Sequence, residues 1–438
     1  MEPVDYDVVV IGGGPAGSCA AAFARQAGLS VCLVEKEPFP RFRIGESLLP
    51  MGNSVLRACG AWPKIEAAGF IEKYGARFHL ADGTMEKRID FSQGYVRGLE
   101  RTFQVERAKF DGILLEHARE LGVTVRMPAT VASVTTNADA VTVTVRDRAG
   151  SASETITARW LIDAGGRENP CATGQKRTLD PARFPSRIAV YNHFRGLPRA
   201  LDRTAGDTII VRLDDGWFWI IPIDAERTSV GLVTTTAAMR AVGGDPAEVF
   251  RRTVAGAPRL RELFVQAEPA MAFRVTADYS YFRRELALPR VVFAGDAGGF
   301  FDPIFSSCVY MAVSSAQLAV ESITRAHARR RALTPRERAR YTRRVKAHAG
   351  VFARLIAAFY DNDSFAIFLS PRPPFDIERG LNSIVAGHAR LSWPLWWRFT
   401  LFLIACQLQK RFKFSPSIPL PSHVGAGSGI EIVLTIGL

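Results

Sequence analysis

The stretch Val8-Val9-Val10-Ile11-Gly12-Gly13-Gly14-Pro15-Ala16-Gly17, with Glu35 downstream, decides the reading of the chain. Four β-branched apolar residues in succession have the pattern of a buried parallel strand. The glycines then turn the chain, Ala20, Ala21, Ala22, Phe23 and Ala24 carry a helix away, and Val31–Val34 make the next strand. Gly12, Gly14 and Gly17 fit G-x-G-x-x-G in its strand–turn–helix context, with Gly13 and Ala16 inside the same turn. A Cβ at the three motif glycines would block the turn, the approach of a pyrophosphate or the packing of helix on strand. The helix N-terminus offers N–H groups and a positive dipole end to phosphates. Glu35 ends the second strand, where a carboxylate accepts from both hydroxyls of an adenosine ribose. The stretch predicts a dinucleotide site; the alternative is a glycine-rich turn in an ordinary βαβ unit.

A chain of 438 residues is long enough for a large core and two lobes. Its six cysteines, Cys19, Cys32, Cys59, Cys171, Cys308 and Cys406, are scattered without a C-x-x-C, which reads as a reduced, cytoplasmic protein. The N-terminus enters the first strand directly, so no signal peptide is expected. The net charge of +13 is concentrated between Glu321 and Ala349, where Arg325, Arg329, Arg330, Arg331, Arg336, Arg338, Arg340, Arg343, Arg344 and Lys346 fall. This is either a solvated helical face or a docking surface for an acidic partner or an anionic membrane. Tyr341 is the only aromatic among these arginines, which speaks against nucleic acid. Phe399–Cys406 is apolar but too short to span a bilayer, so no transmembrane helix is expected. No metal site is expected either.

Along the chain, Leu48–Gly60 and Phe110–Leu121 read as helices. Arg77–Leu80, Phe103–Val105, Val123–Arg126, Val141–Arg146 and Ala158–Ala164 read as strands. Strands alternating with helices imply a doubly wound α/β sheet. From Ile188 to Thr235 the pattern changes to successive strands, Ile188–His193, Thr208–Leu213, Trp217–Pro222 and Ser229–Thr234, which predict an inserted antiparallel sheet. Val291–Gly295 returns to a buried parallel strand, and helices dominate from Val309 to about Gln409. The expected division is a discontinuous nucleotide domain (1–180 and 285–330), an antiparallel-sheet substrate domain (181–284), a helical C-terminal region (331–415) and a tail (416–438).

A second chemical segment is Gly295-Asp296-Ala297-Gly298-Gly299-Phe300-Phe301-Asp302-Pro303. Asp296 closes a parallel strand, where a carboxylate accepts a ribityl hydroxyl of a flavin. A nicotinamide enzyme needs no such distant second segment, so the pair of motifs favours FAD; the alternative is an exposed acidic turn.

Gly12–Gly17, Arg107 within Val105–Asp111, and Gly295–Pro303 resemble the FAD-dependent aromatic monooxygenase superfamily over roughly residues 5–325. Its fold is a Rossmann-like FAD domain of the GR2, aromatic-hydroxylase-like type with an inserted antiparallel sheet. Three further stretches are similar to the flavin-dependent halogenases: Phe39–Pro50, Trp217-Phe218-Trp219-Ile220-Ile221-Pro222 (W-x-W-x-I-P), and Asp302–Ser307. Phe70–Ala76 resembles the lysine segment of the branch acting on phenols and pyrroles, whose substrates are often tethered to acyl or peptidyl carrier proteins. The resemblance implies reduced FAD from a separate flavin reductase, O2, and chloride or bromide. Hypohalous acid formed beside the flavin travels to a lysine, which delivers electrophilic halogen to the ring in secondary-metabolite biosynthesis.

The resemblance assigns Lys73 as the catalytic amine; read alone, it is a surface lysine. A dry site lowers the pKa of an amine. Trp217 and Trp219 share one strand face and would wall the organic substrate off from the flavin, with Ile221 and Pro222 completing the motif; the alternative is a pair of core tryptophans. Ser307 and Cys308 open a helix, where an anion suits the free amides, and would hold the halide. Position 308 is usually glycine in the family, and cysteine narrows the pocket; read alone, Cys308 is a small buried hydrophobe. Glu46, Ser47, Arg43, Arg107, Pro303 and Val309 are the remaining expected cofactor contacts, although either arginine read alone is a solvated surface residue. The C-terminal aromatics from Phe352 to Phe402 read as helical core or as a groove for a pantetheine-linked substrate. The competing functions are a direct aromatic hydroxylase, a reductase of polyprenyl chains, and a non-catalytic flavoprotein scaffold.

Overall fold

The computed structural model describes residues 3–147, 153–167, 177–178, 187–277, 281–300, 302–371 and 373–415. The expected tail, 416–438, and Cys171 lie outside these residues.

The β-branched runs assemble into a seven-stranded sheet. Its order is Thr124–Arg126, Val31–Val34, Tyr6–Ile11, Ser153–Asp163, Val141–Asp147 and Ala129–Thr136, with Val291–Phe293 also paired to Ser153–Asp163. That long strand has two partners on one edge. Ser153–Ala158 pairs antiparallel with Val141–Arg146, and Leu161–Asp163 pairs parallel with Val291–Phe293. The latter pairing brings the second glycine segment beside the first. Ala20, Ala21, Ala22 and Ala24 are fully buried on the helix Pro15–Gln26, so small side chains let this helix lie close to the sheet. Pro15 at its first turn is pre-set for helix and lacks only a donor that would be orphaned anyway.

The second, eight-stranded sheet has the order Glu268–Pro269, Arg187–Arg195, Thr228–Thr235, Trp217–Pro222, Thr208–Arg212, Gly75–Leu80 and Glu86–Asp90, with Arg274–Ala277 also on Arg187–Arg195. It reaches outside the 181–284 span expected for it. Thr208–Arg212 pairs in parallel with Ala76–Leu80, so two strands from the first third of the chain complete the sheet. Hydrophobic alternation marks a strand but carries no information about a distant partner, which is why this pairing was not expected.

A separate small ribbon forms where Ile71–Lys73 pairs antiparallel with Thr102–Gln104, and Ser47 bridges to Gln104. The helices Pro335–Tyr360, Asn362–Leu369, Ile377–Val385 and Trp393–Phe412 close the molecule. Thr334 and Glu337 form a reciprocal capping box at the start of the first. Phe352, Phe359, Phe365, Phe368, Phe399 and Phe402 are buried, and Phe78 and Phe305 pack on this cluster. Most of the C-terminal aromatics are therefore core. Among the described residues no helix is long and apolar enough to cross a membrane.

Candidate active site

The glycine-rich turn is built as a nucleotide cradle. Gly12 has φ +93°, and a Cβ there would lie 2.5 Å from the Ala164 carbonyl oxygen. A Cβ on Gly17 would meet the Gly12 oxygen at 1.8 Å. Both positions require glycine. The Gly13 amide donates to Glu35 Oε2 at 2.6 Å, and the Glu37 amide donates to Oε1 at 2.8 Å, so the carboxylate is fixed at the end of its strand. Gly295, at φ +60°, comes so near that a Cβ would lie 2.9 Å from Ala16 Cβ. These are residues that fit an FAD: a turn from which side chains are excluded, a tethered acid and a second small-residue turn packed against the first.

The loop after Glu35 lies across this turn. Arg41, which the sequence reading passed over, and not Arg43, is the arginine at the glycines. A Cβ on Gly14 would lie 3.4 Å from an Arg41 guanidinium nitrogen, and Arg41 Nε is buried without a hydrogen-bond partner. Arg41 also donates to Asp111 at 3.1 Å. Arg43 is exposed and pairs with Glu37. Arg107, at the start of the helix Arg107–Glu120, grips Asp111 through two bonds of 2.8 and 3.0 Å and donates to the Ile44 carbonyl at 2.6 Å. It holds the loop in place, with its charge facing Asp296 and Glu46. Glu46 is buried, and its Oε1 lies 3.1 Å from His193 Nε2.

Lys73 is 1 % exposed, so the surface reading of this lysine is wrong. Its Nζ donates to Ser47 Oγ at 2.7 Å and to the Leu48 carbonyl at 3.1 Å, and sits 5.4 Å from the centre of the Phe91 ring. Ser47 Oγ lies 2.9 Å from Thr208 Oγ1, which accepts from Gln104 Nε2 at 2.9 Å. Gly206 lets the neighbouring turn press onto the lysine strand, where a Cβ would meet the Glu72 carbonyl at 1.8 Å. Burial pushes the Lys73 amine down to about 7, against a weaker opposing pull from Asp207. Thr208 and Gln104 were not foreseen, because nothing local marks a residue whose partner is remote in sequence.

Trp217 and Trp219 do share a face, with ring centres 5.9 Å apart, and Ile221 and Pro222 are buried with them. Gly231 on the adjacent strand makes room for Trp219: a Cβ there would lie 2.2 Å from the indole. Trp219 stands 6.1 Å from Tyr191, Tyr191 stacks on Phe42 at 6.3 Å, and Phe42 lies 5.5 Å from His193. This continuous aromatic run joins the tryptophans to the Gly45-Glu46-Ser47 loop. On the other side Trp217 Nε1 donates to the Tyr360 hydroxyl at 2.7 Å, and Tyr360 donates to Asp302 Oδ2 at 2.5 Å. Tyr360 ends the first C-terminal helix; the sequence places it among the C-terminal aromatics but carries no sign that it meets Trp217 and Asp302.

Asp302 Oδ1 in turn accepts from the Ile304 amide and caps the Pro303–Phe305 turn. Ser306 follows at φ +55°, and Ser307 precedes the helix Cys308–Ala328. Ser307 is fully buried and its Oγ has no hydrogen-bond partner. Cys308 keeps some exposure, Val309 is buried, and burial raises the Cys308 thiol well above its usual range, so it is a neutral thiol. Burial raises Asp296 to about 6 against the pull of Arg107 and Arg167. It likewise raises Asp302 to about 6, despite the Tyr360 hydrogen bond. The expected residues other than Arg43 thus gather in one region, from the nucleotide turn through the tryptophan pair to the buried lysine.

A family model described as an FAD binding domain matches residues 5–304. The 1H-pyrrole-2-carbonyl-[peptidyl-carrier protein] chlorinase of Pseudomonas fluorescens is 35% identical over 351 residues, covering 74% of this chain and 77% of that protein. The chain belongs to the flavin-dependent halogenase family. A solved flavin-dependent brominase, Bmp2, superposes on it with a TM-score of 0.82 at 27% identity, covering 93% of this chain and 99% of that one. A flavoprotein/dehydrogenase from Cytophaga hutchinsonii superposes with a TM-score of 0.84 at 28% identity, covering 93% and 100%. The halogenase is therefore an FAD-dependent oxidoreductase, and its fold is that of the whole family member.

Proposed function

We propose that this halogenase places chlorine or bromine on a pyrrole-type ring presented as a thioester on a carrier protein, within secondary metabolism. The buried amine of Lys73 carries the reading. A lysine in a dry site is costly to keep, and here its pKa near 7 leaves a large neutral fraction at physiological pH. Bound as reduced FAD from a separate flavin reductase, the cofactor supplies the activation of O2 that turns halide into hypohalous acid. Glu35, Gly12–Gly17, Arg41 and Asp296 would hold it.

The chain's own residues then divide the work. Ser307 Oγ and the helix N-terminus beside it suit a halide anion, and Cys308, in place of the family's glycine, narrows that position. Trp217 and Trp219 keep the ring from the oxidation centre. The neutral Lys73 amine takes the halogen of hypohalous acid, forming an N–halogen bond and releasing water. The ring carbon then takes that halogen, a ring proton is lost, and the amine is restored. Ser47 fixes the direction of the amine. The Pseudomonas fluorescens relative is named a chlorinase and Bmp2 a brominase, so both anions are candidates here. The free cysteines, all five of those described, support a cytoplasmic site of action.

The test supplies reduced FAD, O2, chloride or bromide, and pyrrole-2-carboxylate loaded on a carrier protein. The expected product gains the mass of one halogen. Lys73→Ala is expected to cut that product by at least about a hundredfold while leaving flavin oxidation unchanged. A hydroxylated product, or halogenation that survives the substitution, overturns the reading.

A further inference from the structure

One cavity lies apart from this site. A groove of about 650 Å³ runs between the loop Arg284–Ala287 and the first turns of the helix Pro335–Tyr360. Four cations line it, Arg284, Arg338, Arg343 and Lys346, against one carboxylate, Glu285. The neighbouring acids are already engaged: Glu337 of this helix pairs with Arg331, and Glu321 of the helix Cys308–Ala328 pairs with Arg344. The four lining cations have no salt bridge among the described residues, and Arg338 Nε is buried without a hydrogen-bond partner. Lys346 donates to the Arg284 carbonyl at 2.9 Å, which fixes the groove's two walls together. A surface that concentrates like charge without internal neutralisation is held that way at a cost, and it attracts an anionic partner.

We infer that this groove is where the acidic face of the substrate's carrier protein docks. The inference rests on the carrier-tethered reading above and adds the place of contact. Charge complementarity favours a protein of that kind, since the groove is walled on both sides and carries its cations on separate elements. Reach agrees. Lys346 and Tyr360 are fourteen residues apart on one helix, or about 21 Å along its axis, and Tyr360 accepts from Trp217 of the tryptophan pair. An extended phosphopantetheine arm spans that order of distance, so a carrier seated at the groove can present its thioester at the other end of the same helix.

The experiment measures binding of apo carrier protein, lacking the arm, to the FAD-loaded enzyme by fluorescence anisotropy, in parallel with turnover of the loaded carrier and of the same ring as a short pantetheine thioester. Arg338→Glu and Arg343→Glu together are expected to weaken carrier binding and raise the KM for the loaded carrier by about tenfold or more. Turnover of the short thioester and flavin oxidation stay unchanged. Binding to the unaltered enzyme falls as salt is raised, a readout that needs no variant. Carrier binding insensitive both to salt and to the substitutions overturns the docking site. So does binding lost from anionic phosphatidylglycerol vesicles instead of from the carrier. A wild-type enzyme that turns over only untethered rings defeats the tethered reading itself, and a short thioester that is halogenated while the carrier is ignored defeats the docking site alone.

Discussion

At the scale of single residues, the decisive fact is that one ammonium has been taken out of water. Lys73 is fully enclosed, with Ser47 and the Leu48 carbonyl as its hydrogen-bond acceptors and Phe91 beside it. Its folded pKa of about 7 lies below that of an unfolded lysine. Between these values the unfolded chain binds a proton that the folded chain does not, so stability rises with pH across the window, and below about pH 7 the full cost of burying the charge is present. Lys73→Met is therefore expected to stabilise the protein most below pH 7. Its advantage should shrink by about 1.4 kcal/mol per pH unit above that. Denaturant unfolding at pH 6.5 and 8.5 checks this, and a pH-independent difference would remove the case for a titrating buried amine. If the same group acts in halogenation, turnover is expected to show a rising limb near pH 7 that flavin oxidation lacks.

At the scale of elements, helix ends and strand crossings do the positioning. Ser306, in the left-handed region, turns the chain so that the helix Cys308–Ala328 starts at a buried hydroxyl with no partner. An orphaned hydroxyl contributes nothing to folding, so Ser307→Ala is expected to change stability by less than about 1 kcal/mol. It should raise the halide KM by about tenfold, the value of one hydrogen bond to an anion. Halide titration of the turnover rate, beside a thermal melt, separates the two effects; an unmoved KM removes Ser307 from the halide site. Motifs confined to one element were legible in advance. G-x-G-x-x-G lies in its strand–turn–helix, and the tryptophans share a strand face because side chains alternate. A loop without regular periodicity does not announce which of its arginines faces inward; Arg41 lies beside Gly14, while Arg43 pairs with Glu37.

At the scale of the whole molecule, the C-terminal helices reach back to the site through one phenol. Tyr360 receives the Trp217 indole N–H and donates to Asp302, joining the inserted sheet, the C-terminal region and the turn before Ser307. Tyr360→Phe is expected to cost about 1–3 kcal/mol, since it strands a buried indole donor and a carboxylate acceptor. It should also alter Trp217 fluorescence and lower the ratio of halogenated product to flavin oxidised. A variant with unchanged stability and coupling would show that the contact carries no load.

The sequence by itself determined the nucleotide turn, the run of parallel strands and the W-x-W-x-I-P strand. Each is written in the spacing of residues on one element, where backbone geometry alone sets what faces what. Tertiary structure decided the rest: that Gly75–Leu80 joins a sheet built mostly downstream, that Lys73 is dry, that Thr208 and Gln104 stand behind Ser47, and that Tyr360 closes on Asp302. Those contacts join segments remote along the chain. A pKa displaced by burial exists only once the surrounding segments have excluded water.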